Sequence, residues 1–235
     1  ERYYPKNFSI RQRFLRRLLG KALLKSAYAI VCESASVKND IKKFFKHQKG
    51  NIFCLPAPPI SKYLIFNVNT KRDFLLNIKC GIVDKYIYYP AATWPHKNHI
   101  NLFKAFKEVV KTYPLLKLVL SGSILQHKEY LNKLAIQFGV EKNICHIGYI
   151  PDEDMPLIYK NSEFLIMPSL FESISIPILE AFALGVPVCT SNITSIPDQV
   201  GDAALLFDPN DVGDINDKIM LLLGDDLLRE KLGKR

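Results

Sequence analysis

From residue 85 onward the chain alternates between two hydrophobic patterns. Short apolar runs at 86–89, 116–120, 144–147, 164–167, 186–189 and 205–207 read as strands. Between them, apolar residues recur every three to four positions at 98–111, 126–138, 152–160, 177–184 and 212–223, which read as helices. In the first of these, Leu102, Phe103, Phe106, Val109 and Val110 fall on one face. Strands without polar alternation, all but the one at 186–189 followed by an amphipathic helix, specify an α/β fold whose parallel sheet is covered on both faces. Such sheets bind ligands beyond the carboxyl ends of their strands. The loops that follow the strands are therefore where chemistry is to be sought.

Upstream, 11–27 reads as a basic amphipathic helix in which Phe14, Leu15, Leu18, Leu19, Ala22 and Leu23 recur between Arg and Lys. A strand at 28–32, a helix at 37–45 that Ser34 or Ser36 caps, and a strand at 51–55 follow. The run PAPPIS at 56–61 then breaks the pattern and suits a hinge. The chain divides on this reading into 1–70, the end of one domain with its hinge; 71–223, a complete second domain; and 224–235, the start of a terminal helix.

Two loops hold candidate chemistry. In PSLFESISIPILEAFALGVPV (168–188), Glu172 follows a buried strand and Glu180 lies eight positions on. Ser175 suits a helix N-cap and Pro177 its first turn. The amides of Ser173, Ile174, Ser175 and Ile176 would then point outward at a helix N-terminus, where unpaired N–H groups favour an anion. Glu180, two to three positions into that helix, would reach a ribose diol. The same spacing also fits a local cap at Glu172 and a solvated Glu180. In YYPAATWPHKNHINLF (88–103), Lys97 lies after a strand and just before a helix, with His96 beside it. An ammonium there can neutralise a diphosphate leaving group, although a lone lysine fits a plain surface position as well.

Composition narrows the picture. The 235 residues, 48% hydrophobic, suffice for one domain and part of another. No run of eighteen apolar residues appears and no signal-peptide pattern opens the chain, so a cytoplasmic location is expected. The chain opens on Glu1 rather than Met and reads as part of something longer. Cys32, Cys54, Cys80, Cys145 and Cys189 sit among apolar residues without a Cys-x-x-Cys, which suits buried free thiols. The net charge of +9 is concentrated: residues 1–50 hold thirteen Lys/Arg against three acids, and the rest nineteen against twenty. The basic helix 11–27 is either a solvated face or a contact with anionic lipid at the inner face of the membrane. No nucleic-acid module accompanies it, so nucleic acid is not an expected partner.

Metal and cofactor motifs fail. Asp152-Glu153-Asp154 has the form of a metal-binding D-x-D, but it opens a helix, where acids stabilise the dipole. His96 and His99 lack further ligands for zinc, and His99 reads as structural. No G-x-G-x-x-G follows a strand and no Walker A sequence exists.

Taken together, ESISIPILEAFALGVPV, the Lys97 loop, LVLSGS (118–123), IGYIPDEDM (147–155), YKNSEFLIMPS (159–169) and SNITSIPDQVGDAALLFDP (191–209) resemble, in order, the C-terminal donor-binding domain of GT-B glycosyltransferases of family 4. The wording WPHKNH is closest to bacterial mannosyl- and rhamnosyl-type transferases. Residues 1–60 resemble the end of the family's acceptor-side domain. The resemblance implies two Rossmann-like domains, the first only partly present, and retaining transfer from a nucleotide diphosphate sugar (GDP-mannose, or a dTDP- or UDP-sugar) to a glycan or lipid-linked acceptor, without a metal. It implies Glu172 at the donor sugar, Glu180 on the ribose, Lys97 and the amides of 173–176 at the diphosphate, Gly148 and Tyr149 lining the base pocket, and Gly122 and His96 in the donor cleft. The sequence departs from the family where Ala91-Ala92 replace a common Gly-Arg pair, whose Arg shares the diphosphate, and where Ser173-Ile174-Ser175 lacks the usual glycines. Those departures motivate an alternative, a non-catalytic nucleotide-binding module. Sugar-nucleotide epimerases, which also use GT-B folds, are a third.

Overall fold

Ser9 opens the first helix. Its hydroxyl accepts from the amide of Gln12, and the Gln12 side chain accepts from the amide of Ser9, a reciprocal cap. In the computed structural model, which describes residues 5, 8–45, 50–55, 85–122 and 128–235, the chain forms two units, Glu1–Ala57 and Pro58–Arg235. The expected hinge at 56–61 lies outside the described residues.

The first unit holds α1 (Ile10–Ser26), β1 (Ala29–Cys32), α2 (Ala35–Phe44) and β2 (Asn51–Cys54). β1 and β2 pair in parallel, with Ala29 opposite Asn51. Of the two candidate caps Ser34 is used, its hydroxyl accepting from the Val37 amide at 3.2 Å. Along α1, Ile10, Phe14, Leu15, Leu18, Leu19 and Leu23 are all at least half exposed. Among the described residues no helix is long and apolar enough to cross a membrane.

The second unit runs β3 (Tyr86–Pro90), a 3₁₀ turn (Pro95–Lys97), α3 (His99–Thr112), β4 (Lys117–Ser121), α4 (Lys128–Phe138), β5 (Ile144–Gly148), α5 (Met155–Lys160), β6 (Leu165–Met167), α6 (Ile176–Ala183), β7 (Val188–Ser191), α7 (Ile196–Val200), β8 (Leu205–Phe207), α8 (Val212–Gly224) and α9 (Asp226–Gly233). The described strands are all parallel, in the order β5-β4-β3-β6-β7-β8, and helices flank the sheet. The chain runs outward from β3 through β4 and β5, then returns to place β6 on the other side of β3. The boundary between β3 and β6 is thus the topological switch point, where an open α/β sheet forms its ligand crevice.

The core is built on Ile87, Tyr88, Tyr89, Leu118, Leu165 and Ile166 of the sheet, with Leu102, Phe103 and Phe106 of α3 and Ile215, Ile219 and Leu222 of α8, all essentially inaccessible. Each such side chain contributes roughly 1.5–3 kcal/mol of transfer free energy. The two core tyrosines keep their hydroxyls bonded, Tyr88 to Ser121 Oγ at 2.6 Å and Tyr89 as donor to the Lys97 carbonyl at 2.5 Å.

Several expectations need correcting. The strand expected at 186–189 begins at Val188, because Gly185 (φ 68°) and Val186, whose amide donates to the Ala181 carbonyl, are occupied in ending α6. The short helix α7 has no counterpart in the hydrophobic pattern. The helix expected at 152–160 starts at Met155, and Asp154, at its N-cap, makes no side-chain capping bond. Cys189 is a buried free thiol whose pKa burial pushes up, but Cys54 is exposed and Cys145 is disulfide-bonded. Cys80 lies outside the described residues.

Asp211 caps α8, accepting from the amides of Gly213 and Asp214 at 2.8 and 3.2 Å. Asp211→Ala is expected to lower unfolding free energy by about 1 kcal/mol, read as a lower urea midpoint at unchanged slope.

Candidate functional site

The loops leaving β3 and β6 meet at the switch point. After β3 the chain passes through Ala91–Trp94 into the 3₁₀ turn that carries His96 and Lys97. Asn98 then takes a left-handed conformation (φ 60°), which Asn tolerates better than most residues. Its side-chain amide donates to the carbonyls of Pro168 at 3.0 Å and Pro209 at 2.8 Å. The Leu170 amide donates to the His96 carbonyl at 2.7 Å. These bonds lash the Lys97 loop to the loop after β6. As a result Lys97 Nζ lies 2.6 Å from Glu172 Oε1, although 75 residues separate them, with the two side chains only 19% and 11% exposed.

The Glu172 loop is held from the other side by α7 and the turn before it. Thr194 Oγ1 donates to the Glu172 carbonyl at 2.6 Å and accepts from the Glu172 amide at 3.3 Å. Ser195 Oγ donates to the Ser173 carbonyl at 2.6 Å. Gln199 brackets Ser175, accepting from its amide at 2.9 Å and donating to its carbonyl at 2.8 Å. Nothing in the hydrophobic pattern marks Thr194, Ser195 or Gln199. A five-residue helix shows too little periodicity to be noticed.

Two expectations change here. The Ser175 amide is taken by Gln199 and is not free for an anion, and its hydroxyl makes no capping bond. The amides of Ser173, Ile174 and Ile176 meet no acceptor among the described residues. Glu180 is the fifth residue of α6 and is not solvated. It is half-buried, and its Oε2 accepts from the Tyr159 hydroxyl at 2.6 Å.

At the ends of β4 and β5, the Gly122 amide donates to the Gly148 carbonyl at 2.9 Å, and the Ala91 amide to the Ser121 carbonyl at 3.0 Å. Gly122 has φ 117°, and a Cβ there would stand 3.1 Å from the carbonyl carbon of Ala91. Glycine is therefore required by this backbone crossing, which lies at the Ala91-Ala92 departure itself. Gly148 also has positive φ (74°), and the Tyr149 side chain after it is 76% exposed. Burial, then the neighbouring Lys97, lowers the His96 pKa, while Glu172 opposes this. His99 is buried, its ring tilted beside Tyr89 at 5.0 Å between ring centroids. Burial first, then His146 and Lys97, pushes its pKa down to about 3. Among the described residues no group of three or more His, Cys, Asp or Glu could hold a metal ion.

A cation and a carboxylate thus face each other at the switch point. Residues 83–235 match the family model of glycosyl transferases group 1. The chain belongs to this family. Over 232 residues this glycosyl transferase chain is 33% identical to O-antigen chain mannosyltransferase B of Escherichia coli, covering 97% of the chain and 59% of that protein. It therefore spans little more than half the relative's length. It is similar to the C-terminal domain of a glycosyl transferase group 1 family protein (LpcC) from Francisella tularensis, with 25% identity and a TM-score of 0.61 over 73% of this chain and 92% of that one. Anabaena Alr3699/HepE, solved with UDP and glucose, shares the fold at 16% identity and a TM-score of 0.78, over 97% of this chain and 62% of that one.

Proposed function

We propose that the protein to which this chain belongs transfers a mannosyl or related hexosyl unit from a nucleotide diphosphate sugar to a glycan or lipid-linked acceptor in surface-polysaccharide synthesis, with retention of configuration. The observation that carries this reading is the Lys97–Glu172 pair at the β3/β6 switch point. The likeness to an O-antigen mannosyltransferase supports the sugar and the process, and the HepE complex supports a nucleotide donor.

On this reading residues 71–223 are the donor domain of family 4 and 1–70 the tail of the acceptor-side domain. The diphosphate replaces Glu172 as the partner of Lys97. The ammonium, with the amides of Ser173, Ile174 and Ile176, then stabilises charge on the leaving group without a metal. Glu172, released, faces the anomeric carbon as positive charge develops there. Glu180 accepts from the ribose while Tyr159 holds its other side. The base lies by Gly148 and Tyr149. Gly122 keeps the floor of the cleft low, and neutral His96 adds a polar contact. The exposed Phe and Leu residues of α1, interleaved with Arg and Lys, suit a seat on the inner membrane surface.

The test is Glu180→Ala in the full-length protein. It is expected to weaken binding of the matching nucleoside diphosphate about tenfold in calorimetry, as loss of a charge-assisted hydrogen bond requires. Product NMR should show the donor's anomeric configuration retained. Nucleotide binding without any transfer would favour the non-catalytic alternative.

A further inference from the structure

Three residues before Lys97 the same loop presents Trp94, 53% exposed. Across from it, in the first turn of α4, stands Tyr130, 45% exposed. Thr93, Trp94, His99, Ile100, Tyr130 and Leu131 line one cavity of about 250 Å³. That is smaller than the roughly 300–1,000 Å³ of sites for drug-sized ligands and of the order of a single sugar ring.

Its polar character is specific. Thr93 and His99 are nearly buried, and His99 Nε2 has no hydrogen-bond partner among the described residues. A buried polar atom left unsatisfied is costly, so a ligand group that reaches it is rewarded. Among the described residues that line this cavity none carries a charge at neutral pH, since burial keeps His99 neutral. This described lining offers no charge to a phosphate or an ammonium. Aromatic faces carry negative quadrupoles that attract polarised C–H groups, and a neutral imidazole nitrogen exchanges a hydrogen bond with a hydroxyl. A pyranose ring has both features, an axial C–H face and hydroxyls at its edge.

We propose that this cavity is a subsite for one neutral pyranose unit of the acceptor glycan, stacked on Trp94 and Tyr130 with a hydroxyl toward the Thr93 and His99 wall. The acceptor role rests on the glycosyl-transfer reading above. The binding itself does not.

The experiment uses the full-length protein with methyl α-D-mannopyranoside and a linear mannotriose as probes, followed by saturation-transfer NMR. Saturation should reach the sugar's ring C–H protons. Trp94→Ala and Tyr130→Ala should each weaken binding roughly two- to tenfold, and Trp94→Phe should restore most of it. Both side chains are half exposed, so their truncation leaves the core intact, which a thermal melt checks. Excess nucleoside diphosphate should not displace the saccharide. In turnover assays Trp94→Ala should raise the acceptor KM and leave the donor KM unchanged. The subsite is overturned if wild type binds neither saccharide, if both alanine variants bind as wild type does, or if nucleotide competes with the saccharide. Saccharide binding that depends on Trp94 in a protein showing no transfer with any nucleotide sugar would uphold the subsite and overturn the functional reading instead.

Discussion

Lys97→Ala in the full-length protein is expected to lower kcat/KM for the nucleotide-sugar donor by about 10²–10³, the effect of removing one preorganised group from a developing anion. Two consequences of the geometry add here. The substitution deletes a cation at the switch point, and it leaves Glu172, 11% exposed, without the ammonium that sits 2.6 Å away. An incoming diphosphate would then meet an uncompensated carboxylate. Lys97→Arg should recover only part of the loss. Guanidinium is a planar fork, and the loop that Asn98 fixes to Pro168 and Pro209 leaves little freedom to reposition it. The pair predicts non-additivity as well. In a Glu172→Gln background the further cost of Lys97→Ala in donor binding should shrink, because the repulsion it exposes is gone. Steady-state kinetics over donor concentration for the four proteins measure this, and a wild-type kcat/KM in Lys97→Ala would end the proposed role.

That Lys97 and Glu172 both follow strands was legible in the hydrophobic pattern. That they meet was not. Contact depends on β3 and β6 being neighbours, and a run of parallel strands does not state its own order. The strand order also explains why the two loops are lashed together, since Asn98 reaches Pro168 only across that boundary. Other parts were hidden for local reasons. Ser175 does stand at the N-cap, as its residue type suggests, yet its hydroxyl makes no capping bond and the Gln199 side chain occupies its amide, a tertiary contact that propensity does not contain. Spacing left Glu180 open between a ribose contact and a solvated helix residue, because it cannot show the Tyr159 hydroxyl 2.6 Å away. Strand β7 starts two residues late because the amide of the apolar Val186 is taken in the exit from α6, and Pro187 after it has no amide to give. Composition likewise could not separate a buried thiol such as Cys189 from the exposed Cys54.

Acidification should test the packing behind the Lys97 loop through His99. This imidazole is 5% exposed, lies beside Tyr89 and edge-on to Phe103, and faces two further basic groups, His146 and Lys97. Its folded pKa is pushed down to about 3 from an ordinary 6.5. The unfolded chain therefore takes up a proton as pH falls through 6.5, while the folded chain does so only near 3. Protons bind the unfolded state more, so stability is fully present above about 6.5, declines as pH falls, and levels off below about 3. Between pH 7 and pH 5 the expected loss from this group is about 2 kcal/mol. His99→Gln keeps a polar, hydrogen-bonding side chain but cannot titrate, so it should remove that portion of the slope and leave the contribution of other groups in place. Urea unfolding of both proteins at the two pH values gives the difference directly. Equal losses in wild type and variant would mean that the imidazole takes up its proton in the fold as it does in the unfolded chain, and with it that the wall of the Trp94 cavity carries a charge at pH 5.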